Sequence, residues 1–427
     1  MKKVFIAGYL GFTTSFLFAQ KADDIINAKE AERIERILAS DDMRGRRAFT
    51  PDIDKAADFI AAEFKAIGLQ TSGNNNSYRQ EFAMVRTKFV SASGHFDGTV
   101  LEAKNIMVVT CQPQLKINQN SGYEKVFIKA GANLQTEARN YVRSNKNLLV
   151  LTDKSFAGSF GNLARLKSAM FKTNTNVIFV LSDAEPVSYS IEAVHEITEQ
   201  KLANVTGVLP GKSKKDEYVV FSGHYDHLGI GKPVDGDSVY NGANDDAAGT
   251  TAVILLAKYF KALNNNGRTI VFAAFTAEEV GGFGSQYFSH QFEPEKVVAM
   301  FNIEMIGTES KWGNNSAYIT GYEKTDMGSI LQKNLEGTGF TFYPDPYPDQ
   351  QLFYRSDNAT LARLGVPAHT ISTSKMDNEP NYHKVSDEIE TLDLENMARI
   401  IKSIALSSRS IVAGKDSPTR VKAQDLR

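Results

Sequence analysis

The run Tyr218-Val219-Val220-Phe221, continued by Ser222-Gly223-His224-Tyr225-Asp226-His227, decides how this chain is read. Consecutive apolar residues rich in β-branched and aromatic types describe a buried strand, so Gly223 and His224 fall where that strand opens into a loop. Two further runs follow the same plan. Thr269 to Phe275 leads into Thr276-Ala277-Glu278-Glu279-Val280-Gly281-Gly282, and Val297 to Ile303 leads into Glu304-Met305-Ile306-Gly307. From about residue 205 such runs alternate with stretches of helical spacing. This predicts an α/β fold, a mostly parallel twisted sheet with helices on both faces. In such sheets ligands gather at loops beyond the carboxyl ends of the strands, where these polar residues fall.

The residue types at those loops suit metal chemistry. A borderline-soft cation such as Zn²⁺ takes imidazole nitrogens and carboxylate oxygens, and a catalytic site keeps a position open for water. A carboxylate shared by two ions about 3.5–4 Å apart holds both without filling their shells. Asp245, inside Asn244-Asp245-Asp246, is the expected bridge, and His224 is expected to bond an ion directly. Asp226 is expected to accept the other imidazole N–H of His224 and fix its tautomer. Adjacent residues at a strand end point in different directions, so Glu279 reads as a ligand and Glu278 as the general base. Glu304 adds a carboxylate, and His383, in the loop ahead of the amphipathic stretch Leu392 to Ile404, adds an imidazole. Taken singly, His224 would be a structural histidine, Glu278-Glu279 a solvated pair and Asp245 the cap of a helix over Asp246 to Leu263. Their order together favours the metal reading. His195, His227, His290 and His369 lack such a context and read as structural or exposed.

The set Gly223-His224-Tyr225-Asp226, Asn241-Gly242-Ala243-Asn244-Asp245-Asp246-Ala247-Ala248-Gly249, Glu278-Glu279, Asn302-Ile303-Glu304-Met305 and Tyr382-His383 resembles the co-catalytic zinc aminopeptidases of peptidase family M28. Gly45-Arg46 and the helix ending at Ile67-Gly68-Leu69 are similar to the family's opening segment, so the likeness covers roughly residues 40–87 and 205–410. It implies the zinc-exopeptidase, phosphorylase/hydrolase-like fold and two Zn²⁺ per chain. His224, Asp245 and Glu304 would hold one ion, Asp245, Glu279 and His383 the other, and Glu278 would be the base. Tyr382 matches a position that donates to a developing oxyanion. Arg355, in Tyr354-Arg355-Ser356-Asp357, looks like the family's substrate-contacting arginine. Many members have aspartate where this chain has Glu304, which bears on specificity more than on hydrolysis.

The implied reaction is hydrolysis of the peptide bond after a free N-terminal residue, so the expected partners are peptides. A glutaminyl cyclase on the same fold would keep one zinc and not need the full bridging set. A carboxypeptidase would need a cationic pocket for a terminal carboxylate, which Arg355 alone does not establish. A non-catalytic binding ectodomain would have lost ligands or the base, all of which are kept here.

Composition fits this setting. A formal charge of −2 and the absence of long basic runs leave no footprint for nucleic acid. Met1-Lys2-Lys3, the apolar run Val4 to Phe18 and Ala19-Gln20 match a signal peptide cleaved after Ala19 or Gln20, which predicts export to a periplasmic or extracellular space without stable membrane insertion. Cys111 is the only cysteine, so no intramolecular disulfide can form.

At 427 residues the chain exceeds one core's usual span, and a second module is expected. Residues 20–87 and 205–414 read as the catalytic domain. Residues 88–204 read as an insertion similar to the protease-associated module, with strands at Asn105 to Val109, Lys125 to Ile128, Leu148 to Thr152 and Val177 to Leu181 and a helix over Asn162 to Lys172. Helices are expected over Ala22 to Ser40 and Ile53 to Ile67, with Gly68 as the stop. The polar tail after Gly414 is expected to fray. Ser93-Gly94-His95-Phe96-Asp97-Gly98 nearly repeats the hexapeptide at Ser222 but has no partner motifs downstream, and it reads as a turn between strands.

Overall fold

The computed structural model describes residues 22–73 and 76–426, so the segment read as a signal peptide lies outside the described residues. Two units form. One combines the chain up to Glu81 with Leu202–Arg427, and the other is Phe82–Lys201.

In the larger unit the three apolar runs are strands Lys214–His224, Arg268–Phe275 and Val297–Ile303. They lie side by side and parallel, with Lys214–His224 in the middle and Ala368–Ser372 parallel beyond Val297–Ile303. Antiparallel neighbours, Ser316–Ile319 on one side and Tyr189–Leu209 on the other, extend the sheet. The buried parts of the central strands, such as Val219-Val220-Phe221, are apolar because both faces are covered. Phe221, Phe272 and Phe301 stack on one face beneath Phe260 of the helix Ala248–Leu263. Their neighbours in sequence, Val220, Val271 and Met300, turn to the other face with Phe288 and Leu361. Burying each such side chain contributes roughly 1.5–3 kcal/mol. Every residue of Arg268–Phe275 is buried.

The helix Asp52–Ile67 stops at Gly68, whose φ of +79° costs no Cβ clash. The helix Leu394–Ser407 starts under an Asp393 cap accepting from the Asn396 N–H. The polar tail does not fray. Arg420 donates to the carbonyls of Val297 and Pro294 at 2.7 and 2.9 Å, Val421 is buried, and Ser417 accepts from Arg268. Backbone acceptors left open elsewhere in the fold hold this segment, which its own composition does not reveal.

In the smaller unit Leu148–Thr152 lies between Glu124–Ile128 and Val177–Leu181, parallel to both, and Ile106–Val109 closes the sheet antiparallel. Alternation places Leu149, Leu151, Ile178 and Val180 in one core and Leu148, Val150, Val177 and Phe179 in another. The helix expected at Asn162 to Lys172 is a 3₁₀ segment, Phe160–Lys167, followed by the short strand Met170–Phe171. An α-helix not expected from the sequence spans Leu134–Arg143. The repeat of the hexapeptide is a turn: Asp97 and Gly98, both at positive φ, join Arg79–Phe96 to Thr99–Leu101, and Asp97 accepts the Ser188 N–H.

His369 is structural, and His195 is buried edge-on against Phe89, far in sequence from any proposed ligand. His369 Nδ1–H donates to the Thr320 carbonyl, so its Nε2 accepts from the Thr325 hydroxyl, both at 2.8 Å. Burial pushes its pKa down to about 4. Between pH 6.5 and 4 the unfolded chain therefore holds a proton that the folded chain excludes, and the stabilisation present above pH 6.5 is lost as pH falls through this window. At about 1.36 kcal/mol per unit the loss reaches roughly 3 kcal/mol. Urea unfolding of wild type and His369→Gln across this window should show a flatter pH dependence in the variant.

Candidate metal centre

Three neighbouring strands end together. His224 closes its strand, Glu304 follows Ile303, and Glu278-Glu279 stand three and four residues beyond Phe275. Asp245 comes from the turn before the helix Ala248–Leu263, and His383 from the loop after Ala368–Ser372. The close approach of turn and strands depends on glycine. A Cβ on Gly249 would run into the Ile303 carbonyl and both Asp246 carboxylate oxygens, and one on Gly223 would lie 2.8 Å from the Gly249 carbonyl carbon.

Asp245 lies between two histidines: Oδ1 is 3.2 Å from His224 Nε2 and Oδ2 is 3.3 Å from His383 Nε2. His383 Nε2 is also 3.2 Å from Glu279 Oε2. Ligand atoms on a zinc at 2.0–2.1 Å in tetrahedral array are about 3.3 Å apart, so these spacings suit atoms that share an ion. Donor atoms of His224, Asp245 and Glu304 lie within 4.8 Å of one another, as do those of His227, Asp245 and Glu279. His224 Nε2 and Glu279 Oε1 are buried without a hydrogen-bond partner. Orphaned lone pairs on this donor set fit a pair of divalent cations.

Surrounding groups hold these ligands in place. Ser356 donates to Glu304 Oε2 and accepts from Asn302 Nδ2, and Asn302 in turn accepts from Ser222. Asp246 joins three elements, accepting from the N–H groups of His224, Gly249 and Met305. Asp387 receives the N–H groups of Asn244 and Asp245. Arg46, fully buried, donates to the carbonyls of Tyr225, Leu38, Asn241 and Gly242. Ala277, Met305 and His383 all take left-handed backbone angles, a local cost of about 1–3 kcal/mol each that collects beside the ligands.

The electrostatics call for positive charge. Burial pushes Glu304 up to about 7, Asp226 to about 7 and Asp387 to about 6, and raises Glu278 and Asp246 well above the carboxylate range. For Asp245 burial acts the same way, but the imidazoles of His224 and His383 outweigh it and hold the carboxyl well below its ordinary value. Asp245 and Glu279 lift His383 to about 10. Burial thus works against the charge of several of these carboxyls, and a nearby dication would restore it.

His224, Asp245, Glu279, Glu304 and His383 thus come together, with Glu278 in electrostatic range of His224 and Glu304. Two readings need correction. The His224 Nδ1–H donates to the Asp226 backbone carbonyl at 3.1 Å, while the Asp226 carboxylate is 3.8 Å away and accepts the Glu278 N–H instead. The chain turns so sharply after His224 that the carbonyl reaches the ring first. His227, read as structural or exposed, is buried at the cluster, its Nδ1 2.8 Å from Glu279 Oε1. Asp246, Asp387 and Ser356 were not singled out by the sequence; the Asp-Asp pair was the available signal for Asp246.

Comparison with known proteins gives a family model, relatives and a shared fold. The model of Peptidase family M28 matches residues 204–407. This segment belongs to peptidase family M28. A probable leucine aminopeptidase of Trichophyton verrucosum is 25% identical over 261 residues, 55% of this chain and 68% of that protein. A probable zinc metalloprotease of Pyrenophora teres f. teres is 34% identical over 237 residues, and the match spans 52% of this chain and 50% of that protein. Among solved structures, a zinc aminopeptidase from Bacillus subtilis has a TM-score of 0.55 at 17% identity, covering 92% of this chain and 97% of that one. An aminopeptidase from Aneurinibacillus sp. strain AM-1 has 0.54 at 15%, covering 92% and 95%. At these identities the structures establish the shared α/β fold.

Beside Glu304 the M28 domain opens a small cleft lined by Tyr318, Leu352, Arg355, Met376 and Tyr382. Tyr382 stacks on His383 with ring centroids 3.9 Å apart. Arg355 is exposed at the cleft and donates to Gln350. No helix among the described residues is long and apolar enough to cross a membrane.

Proposed function

We propose that this M28 member is an exported metallo-aminopeptidase that removes the N-terminal residue of peptides, with zinc held by His224, Asp245 and Glu304 and by Asp245, Glu279 and His383. The observation that carries the reading is Asp245, which gives one oxygen to each histidine. Two zinc ions there would supply a water acidified from 15.7 toward about 7 and a Lewis acid for the scissile carbonyl. Glu278, placed beside Glu279 on the turn after its strand, accepts the water's proton and returns it to the leaving amine. Tyr382, fixed against His383, serves the developing oxyanion, and Arg355 meets the peptide at the cleft. The names of the zinc-dependent and aminopeptidase relatives support the metal and the substrate class.

The test is a substrate panel with and without chelation. Leucine amide should be hydrolysed, N-acetyl-leucine amide should not, and chelator should abolish turnover until zinc is restored. Cleavage from the carboxyl end, or cyclisation of N-terminal glutamine instead, contradicts the proposal. Export rests on the charged start and apolar run of residues 1–18, and sequencing of the mature chain should begin at Gln20 or Lys21.

Leu352, Met376 and the two tyrosine rings favour an apolar N-terminal side chain in the cleft. Because a methylene in such a pocket discriminates by about 10–200-fold, Met376→Phe should lower kcat/KM for leucine amide at least about tenfold relative to alanine amide. Equal losses on both amides would place the side-chain pocket elsewhere.

A further inference from the structure

His227 enters neither the chemistry read from the sequence nor the ligand set proposed above. Its ring is buried, and neither nitrogen has a hydrogen-bond partner. Burying an imidazole with both nitrogens unsatisfied costs about 1–3 kcal/mol per group unless something else satisfies them. The position is built rather than incidental. The His227 N–H donates to the Arg46 carbonyl, and a Cβ on Gly242 would press to 2.5 Å from the ring's Cγ, so the imidazole has little room to turn.

The contact with Glu279 is not an ordinary hydrogen bond. Nδ1 and Oε1 are 2.8 Å apart, yet neither buried atom makes a well-aligned hydrogen bond. Two lone-pair atoms brought close without a proton between them repel unless both face a cation. A His227 nitrogen, an Asp245 oxygen and a Glu279 oxygen fall within 4.8 Å of one another. His383 approaches the same two carboxylates, with 5.8 Å between the two ring centroids. Two imidazoles on one zinc, each with Zn–N of 2.0–2.1 Å, set their centroids about 5–6 Å apart.

We propose that His227 is a direct ligand, through Nδ1, of the ion held by Asp245, Glu279 and His383. The inference rests on the two-ion reading above and goes beyond it by making the two sites unequal. The ion of Asp245, Glu279, His383 and His227 has four protein ligands, the closed arrangement of a structural site. The ion of His224, Asp245 and Glu304 has three and keeps the open position. The first is therefore the tighter site, and the second is where exogenous ligands exchange.

Zinc K-edge X-ray absorption on the zinc-loaded full chain counts the imidazoles without any substitution. Three imidazoles over two zinc ions are expected. Two imidazoles over two ions would overturn the role of His227 while leaving the two-ion reading intact, and fewer than two ions per chain would overturn both. Zinc titration of His227→Asn provides a second readout. Loss of the ligand should weaken one site at least about 10–100-fold, the scale seen even for groups that only support a ligand, with the other site unchanged. Two sites of unaltered affinity in a folded variant would also overturn the proposal.

Discussion

Glu278→Gln is expected to bind zinc as the wild type does and to hydrolyse aminoacyl amides about 10²–10⁴ times more slowly, the range contributed by a positioned general base. The amide keeps the side chain's size, and the Glu278 backbone N–H still donates to Asp226, so the turn carrying Glu279 survives. The loss should fall on kcat, because the proton moves only in the chemical step. Steady-state kinetics beside a metal assay separate this from a ligand role. A variant that retained wild-type turnover would remove Glu278 from the mechanism, and one that lost zinc would make it a ligand.

Arg46→Met should destabilise the fold by about 3–5 kcal/mol, the cost of taking one charge from a buried compensated set. The guanidinium satisfies four backbone carbonyls at once: Leu38 at the end of the helix Ala28–Leu38, Tyr225 after the His224 strand, and Asn241 and Gly242 ahead of Asp245. It also offsets Glu35, a fully buried acid whose pKa burial pushes up to about 8 despite that nearby charge. Methionine fills the volume and leaves the carbonyls without donors. Lysine would restore the charge but, with three donors, not the planar fork, so Arg46→Lys should fall between the two. Urea unfolding measures both variants. Because the loops fixed by Arg46 carry His224 and Asp245, zinc affinity should fall in the same order.

How much of this was legible depends on where each group finds its partners. Val297 to Ile303 matches its strand residue for residue, because a strand buried on both faces is apolar except where a side chain such as Asn302 finds hydrogen-bond partners. The candidate ligands then follow by position, at or a few residues past the end of each strand. The helix Leu134–Arg143 escaped notice because it buries only Leu134 and Ala138, too few apolar residues to mark a period, although Asn133 capping the Thr136 N–H was a usable signal. The roles within Asp245-Asp246 and His224-Tyr225-Asp226-His227 could not be assigned from order alone. A turn decides which of two neighbouring side chains faces the candidate site, and the turns here are set by Arg46, Asp246 and Asp387, whose partners lie up to 196 residues away, as Gly242 does from Arg46. The tail was misread for the same reason, since the carbonyls that receive Arg420 belong to residues 294 and 297.

The central claim is that Asp245 bridges two ions. Elemental analysis of the purified chain, with Asp245→Asn in parallel, tests it most directly. Two zinc per wild-type chain and loss of both in the variant are predicted, because the amide presents only one oxygen and cannot carry the shared charge. One zinc in the wild type, or a variant that keeps its full complement, would contradict the bridge.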